Sequence, residues 1–378
     1  MENKFNPDMD LIRFAFENAS VPVRLVGGCV RDMLLGITPK DWDMNTPALP
    51  DEIIRILKAA NIECFDMSNG HGTITAVING EAYEITTLRQ DLETDGRHAV
   101  VGFTDKWEVD AERRDFTFNA LSMDWDGNIY DYFGGVADLK AGLVRFVGDA
   151  EKRIKEDYLR ILRYFRFLGR MPNPEADVET LAIISANRQG LADISGERIW
   201  SEMKKIFAGD HVDFVMNLMN ETRVTGAIDL LINKPMVPAS RDPITVLAAY
   251  IDYAFVEIVR DRWKLSSKEE NQLVYLTNFR NVFETIKDLK ESVFEGINRN
   301  YVLELMKIQH RKDDFETLKN WVIPEFPVSG KDLIAAGVKP GPNMGFVITV
   351  LRKSFVEANY QMTKEQVMSM VQIDKSPE

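Results

Sequence analysis

Two patterns of apolar and polar positions divide the chain. In its first part, short runs alternate apolar with polar residues between Gly, Asn or Asp: VPVRLVG, TITAVING, AYEITTLR, LSMDWDG and LVRFVG. That period of two predicts β-strands. A first helix is expected within MENKFNPDMDLIRFAFENAS, a second in VRDMLLG, and a third from Pro50-Asp51-Glu52 through Lys58. From about Glu151 glycine becomes sparse and apolar residues recur at helical spacing to the C-terminus. Ser266-Ser267-Lys268-Glu269 and Thr363-Lys364-Glu365-Gln366 fit capping boxes. Breaks are expected near 171–174, 233–238 and 324–329, and a turn into another helix at 337–345. The pattern predicts an α/β N-terminal domain of about 145 residues followed by helices only. The last residues, DKSPE, are expected to fray.

Composition narrows the setting. A chain of 378 residues is long enough for two or more cores. No apolar run reaches the roughly 18 residues of a membrane span. The acidic N-terminus resembles neither a secretory nor a transit signal. Cys29 and Cys64, the only cysteines, argue against a disulfide framework or a Cys-rich zinc site, and the four histidines form no H-x-x-x-H pair. A reducing, cytoplasmic location is expected. The net charge of −13 disfavours non-specific nucleic-acid binding through the bulk field. A polyanionic partner needs a local basic stripe, and Lys152, Arg153, Lys155, Arg160, Arg163, Arg166 and Arg170 offer one.

The chemistry concentrates in four blocks. Residues 25–46 read LVGGCVRDMLLGITPKDWDMNT. Gly27-Gly28 follows an apolar run and enters a helix, where backbone N–H groups can approach a phosphate. In an extended strand Asp41 and Asp43 would point the same way, and two such carboxylates suit a hard cation, Mg²⁺ rather than Zn²⁺. The segment is neither a G-x-G-x-x-G fingerprint nor a Walker A loop. Glu84, in AYEITTLR, can sit beside the two aspartates as a third carboxylate. Arg113 and Arg114, ahead of a helix-like FTFNAL, can clamp a triphosphate. In EDYLRILRYFRF, helical spacing would put Asp157, Arg160 and Arg163 on one stripe continued by Arg166. Asp157 can accept from the amino group of cytosine or adenine while Arg160 donates to the adjacent ring nitrogen, so one pair can select C and A and reject G and U. Each block alone also fits a solvated strand, a surface ion pair or an ordinary amphipathic helix; the order of the four is what is specific.

Taken together, the blocks closely resemble class II tRNA nucleotidyltransferases, the CCA-adding enzymes, whose catalytic head is shared with bacterial poly(A) polymerases. The match is dense from Leu25 to about Phe207. It runs through GGCVRDMLLG and DWD, HGTIT, YEITTLR, DGRHA, RRDFTFNAL, DYFGG to VRFVGD, EDYLRILRYFRF and ISGERIWSEMKKIF. Beyond His211 it is mostly architectural, with WKLSSKEE and the 337–345 turn as further likenesses. The resemblance implies an α+β head with a mixed sheet over 1–146, then an all-α neck (147–210), body (211–290) and tail (291–378).

In the implied roles, Asp41 and Asp43 hold Mg²⁺ and Glu84 is a third catalytic carboxylate. Gly27, Gly28, Arg31 and Arg114 bind the nucleotide. Asp157, Arg160, Arg163 and Arg166 form the neck motif that reads the base. Residues 94–103 fall where the family keeps a mobile loop linked to the switch from CTP to ATP. The expected partners are the tRNA acceptor arm, CTP and ATP, with no membrane and no protein partner implied. The expected activity is two-metal addition of C, C and A to tRNA without a nucleic-acid template. Enzymes adding only A or only CC, a poly(A) polymerase, an inert RNA-binding homologue and a small-molecule nucleotidyltransferase remain alternatives.

Overall fold

The computed structural model describes residues 6–66, 72–95, 98–232, 238–282 and 284–371, with the backbone alone at 91–95 and 98–101. His71, Gly96-Arg97 of the expected loop, the start of the first helix before Asn6, the break at 233–237 and the DKSPE tail lie outside the described residues. Two compact units are present.

The first unit, Met1–Pro235 with Arg241–Pro243 and Tyr250–Glu270, begins with a mixed sheet. Its strands are β1 (Arg24–Val26), β2 (Asp43–Thr46), β3 (Glu63–Asp66), β4 (Thr73–Ile78), β5 (Glu81–Thr87), β8 (Ser122–Met123) and β9 (Ile129–Tyr130), in the order β3-β4-β5-β2-β1-β8-β9. β6 (Arg89–Asp95) and β7 (His98–Phe103) pair as a separate two-stranded ribbon. β2 and β5 run parallel, and the other pairs of the sheet are antiparallel. The alternation read from sequence is the burial pattern found. Ile74, Ala76 and Ile78 of β4, and Tyr83 and Ile85 of β5, face inward, while Glu84 is exposed.

The helices of this part are α1 (Pro7–Asn18), α2 (Gly28–Leu34), α3 (Pro50–Ala59), α4 (Trp107–Glu112) and α5 (Gly135–Ala141). Pro50 starts α3 at a position where its missing N–H costs nothing, and Ile53, Ile56 and Leu57 bury one face. LVRFVG is not a strand. It makes only single bridges, Leu143 with Glu175 and Phe146 with Phe116, and joins neither sheet.

The helical continuation contains α6 (Ala150–Glu156), α7 (Leu159–Leu168), α8 (Val178–Asn187) and α9 (Gly196–Phe207). Asp157 does not lie on a helix shared with Arg160, as the spacing predicts. It is extended, at φ −155° and ψ 105°, between α6 and α7. Its carboxylate accepts from the Leu159 N–H at 3.1 Å and so caps the start of α7.

The second unit, Met236–Ser240, Ile244–Ala249 and Asn271–Glu378, is helical among its described residues. The capping box at Thr363 and Gln366 forms as expected, as does that of Ser266 and Glu269 in the first unit. Two more, Thr285 with Asp288 and Ser329 with Asp332, carry Asp rather than Glu at the third position. One core gathers Leu289, Val293, Val302, Met306 and Leu318. Another gathers Phe294, Val328, Leu333, Leu351, Phe355, Val356 and Val367. Phe355 is 2% exposed and its ring meets those of Phe294, Phe326 and Tyr360 at 5.9, 5.6 and 5.8 Å. Phe355→Ala should therefore cost this unit about 3–5 kcal/mol. Urea titration checks this, and an unchanged midpoint would contradict the packing described.

Candidate active site

The parallel pairing of β2 with β5 sets Asp43 opposite Glu84. Asp41 lies two residues earlier, exposed, in a bend before β2 rather than in the strand. Burial raises the pKa of Asp43, and the charge of Glu84 raises it further; Arg114 opposes this, and Asp41 adds to it. Three carboxylates gathered at the central strands of the sheet are a repulsive arrangement that a hard cation relieves. Among the described residues no group of three His, Cys, Asp or Glu side chains is placed to hold a metal ion.

Beside the acids, β1 ends and α2 begins at Gly27-Gly28. Gly27 has φ +67°, and a Cβ there would lie 2.7 Å from Arg114 Nη1. Only glycine serves both the backbone and the close guanidinium. At Gly28 the nearest atom to a Cβ would be Arg31 Nη2 at 3.8 Å, so the chain itself does not require glycine there. Space is left over the start of α2.

The arginines are held by partners that local sequence shows only in part. Arg31 donates to Asp32 Oδ1 from Nε and Nη2, at 2.9 and 2.7 Å, and to Asn119 Oδ1 from Nη1 at 2.8 Å. Arg114 donates to the Asn119 carbonyl at 3.3 Å and to Asp110 Oδ2 at 3.3 Å. Asp110 is 2% exposed and also accepts from Arg113, from Asn45 Nδ2 at 2.9 Å and from the Arg89 N–H at 3.2 Å. Burial alone would raise its pKa, but Arg114 and Arg113 more than offset this and hold it below the ordinary carboxylate value. Asp110 was missed in the sequence. Its spacing of three and four residues before Arg113 and Arg114 is the signal that marks it.

Farther along, Arg163 pairs with Asp115, its Nε donating at 2.7 Å, and Asn119 Nδ2 donates to the same carboxylate at 2.9 Å. Burial again works against Asp115, and Arg163 and the hydrogen bonds lower its pKa. Arg166 pairs with Glu202 at 2.7 Å; burial pulls its pKa down to about 10, which leaves it charged at neutral pH. Arg160 Nη1 donates to Glu156 Oε2 at 2.7 Å and to the Arg153 carbonyl at 2.9 Å. Asp157 Oδ2 accepts from Arg198 Nη2 at 2.8 Å.

The basic stripe is therefore not a belt of solvent-facing charge. Arg153 and Arg160 turn to Glu156 of α6, Arg163 to Asp115 in the turn after α4, and Arg166 to Glu202 of α9. Beneath Arg31, Arg163 and Arg166 lies one buried ring, Phe167, at 5.0, 5.8 and 4.1 Å from the three guanidinium carbons. Arg198, Glu202 and this platform were not legible locally, because their partners are distant in sequence. Asp157 and Arg160 do come to one junction, through a helix break rather than a helix stripe.

A mixed sheet presenting three acids next to glycine-spaced amides and ordered arginines has the parts of a nucleotidyltransferase site: carboxylates for a dication and cations for a polyphosphate. Residues 23–145 match the poly A polymerase head domain, and 176–228 the probable RNA and SrmB-binding site of polymerase A. CCA tRNA nucleotidyltransferase 1, mitochondrial, of Danio rerio is 40% identical over 94% of this chain and 88% of its own. The enzyme of the same name from Homo sapiens is 37% identical over 98% and 91%. The crystal structure of Bacillus stearothermophilus CCA-adding enzyme in complex with CTP is 26% identical, covers 98% of this chain and 97% of that one, and superposes with a TM-score of 0.81. The chain belongs to the tRNA nucleotidyltransferase family of CCA-adding enzymes.

Two outcomes test the site's physics. Asp43→Asn removes a carboxylate whose folded-state pKa is raised. Between the ordinary and the raised value the native state binds more protons than the unfolded one, so wild-type stability falls as pH rises through that window. The asparagine variant should lack that slope, melt about 1–3 °C higher without divalent ions at neutral pH, and gain less than the wild type when Mg²⁺ is added. Calorimetry with and without Mg²⁺ decides it, and an equal response of both proteins would refute the carboxylate assignment. Gly27→Ala should cost about 1–3 kcal/mol through its backbone angle, whereas Gly28→Ala should leave the melting temperature nearly unchanged. Equal effects of the two changes would show that the space above Gly28 is not open.

Proposed function

We propose that this chain adds C, C and A to the 3′ end of tRNA from CTP and ATP, releasing pyrophosphate, without a nucleic-acid template. The observation that carries the reading is the joining, within one compact unit, of the Asp43–Glu84 acidic pair to the arginine network that ends at Asp157 and Arg160. Asp41 and Asp43 would hold Mg²⁺, which when bound makes the tRNA 3′-hydroxyl more acidic and neutralises phosphate charge. Glu84 supplies a third negative charge beside Asp43. The 3′-oxygen forms a bond to the α-phosphorus as the bond from that phosphorus to the bridging oxygen breaks; pyrophosphate departs with that oxygen and its electron pair, and the hydroxyl proton passes to solvent water.

The chain's own work is placement. The amides and open space at Gly27-Gly28 receive phosphate, and Arg31 and Arg114, held by Asn119 and Asp110, face its charge. Asp157 and Arg160 read the amino group and the adjacent ring nitrogen of the base. Arg160 has five donors, so its bonds to Glu156 and two carbonyls leave capacity for a base. Arg163 and Arg166, fixed over Phe167, keep the wall behind the base cationic and rigid. On this reading the head spans 1–146, the base-reading neck 147–210, and the body (211–290) and tail (291–378) hold the acceptor arm. No helix among the described residues is long and apolar enough to cross a membrane. The two unpaired cysteines fit a reducing, cytoplasmic setting, although the vertebrate relatives carry mitochondrial names.

The test incubates the protein with tRNAs lacking CCA, CA or A alone, with CTP and ATP given separately and together. The expected products are complete CCA ends on all three, and none for Asp41→Ala at unchanged circular dichroism. Extension stopping at CC, extension only of tRNA already ending in CC, or a long A tail would each replace the proposed activity with a narrower one or with polyadenylation.

A further inference from the structure

Arg153 makes no contact with the acids of the sheet and was read from sequence only as part of a basic stripe. In the structure it is 8% exposed and bonds in three directions. Its Nε donates to the Val147 carbonyl at 3.1 Å, Nη2 to the Glu112 carbonyl at 2.6 Å, and Nη1 to Glu156 Oε2 at 2.8 Å. That same Glu156 oxygen accepts from Arg160 Nη1, and the Arg153 carbonyl accepts from it too. The third bond of Arg160, from Nη2, goes to the Arg113 carbonyl at 3.5 Å. The bonds that place Arg160 therefore end on Arg153 itself, on the carboxylate Arg153 holds, or on the residue after the one Arg153 grips.

We propose that Arg153 is a positioning residue for base selection: its three-way grip on Glu112, Val147 and Glu156 sets where the Arg160 guanidinium points. The proposal rests on the assignment of Arg160 as a base reader. A guanidinium is the only side chain that spans three acceptors in one plane; an ammonium at the same place keeps the charge and loses the fork. Without that fork Glu156 is free to follow Arg160 instead of holding it. Discrimination between C and U, or A and G, depends on one donor meeting the ring nitrogen at hydrogen-bond distance, so a small displacement degrades choice before it degrades chemistry. The linkage also reaches the triphosphate. Glu112 and Arg113 directly precede Arg114, so base position and phosphate position share one stretch of backbone.

The test measures kcat/KM for CTP, UTP, ATP and GTP on tRNA substrates for wild type, Arg153→Lys, Arg160→Ala and the double variant. Arg153→Lys should lower the preference for CTP over UTP, and for ATP over GTP, about ten-fold. Added to Arg160→Ala, it should cause no further loss, because it acts through that side chain. A purely structural role would lower all four rates together and leave their ratios in place, which overturns the proposal, as do losses that add independently in the double variant. Preference surviving Arg160→Ala would remove the base-reading assignment and this proposal with it. Preference lost in Arg160→Ala but kept in Arg153→Lys would remove this proposal alone. Should the lysine variant melt too early to assay, Arg153→Gln, which keeps donors for the two carbonyls, is read by the same ratios.

Discussion

The parallel pairing of β2 with β5 is the constraint on which the site depends. It places Asp43 directly across from Glu84, with Asp41 two residues upstream, and so gathers like charge at the centre of the sheet. Such a pairing needs a crossover, which α3, β3 and β4 provide, and the inward residues of β4 and β5 fix its register. A slip of one residue would turn Glu84 inward and Ile85 outward. The apolar face thus holds the repelling carboxylates in place, and the fold carries the electrostatic cost that burial imposes on Asp43.

The cationic side is built differently. Its arginines are fixed by individual acids: Arg31 by Asp32, Arg114 by Asp110, Arg163 by Asp115, Arg166 by Glu202, and Arg160 by Glu156. Asp110 serves both Arg113 and Arg114, and Glu156 serves both Arg153 and Arg160, so each shared carboxylate leaves one positive charge uncompensated. A polyanion meets ordered guanidiniums with residual charge instead of flexible exposed ones. This reconciles a chain of net charge −13 with a triphosphate site. The positive charge is local and held in place by these ion pairs.

Helix α7 joins the two sides. Its buried residues, Leu159, Ile161, Leu162, Phe165 and Phe167 among them, pack it, and the break at Asp157 frees that carboxylate from the helix to cap it from outside. Phe167 contacts Phe116 and Phe118 edge-on, at 5.4 and 5.3 Å, and carries the three guanidiniums above. Arg31 of α2 and Arg163 and Arg166 of α7 are thereby mounted on one aromatic cluster.

Sequence alone determined the alternation that makes β4 and β5 two-faced, the glycine pair before α2, the acids of β2 and β5, the starts of α3 and of the helices capped at Ser266 and Thr363, and the order of the motifs. Each of these is local, because periodicity and capping act within a few residues. Tertiary structure decided the rest. LVRFVG alternates like a strand but makes only isolated bridges, to Phe116 and Glu175. Asp157 is spaced like a helix residue but sits in a break, where Arg198, 41 residues later, takes its carboxylate. The basic stripe reads as surface charge, yet its arginines turn inward because Asp115, Glu156 and Glu202 meet them from three different elements. A charge pattern records which residues can pair; only the packed chain brings distant partners within the few ångströms at which a guanidinium and a carboxylate hold one another.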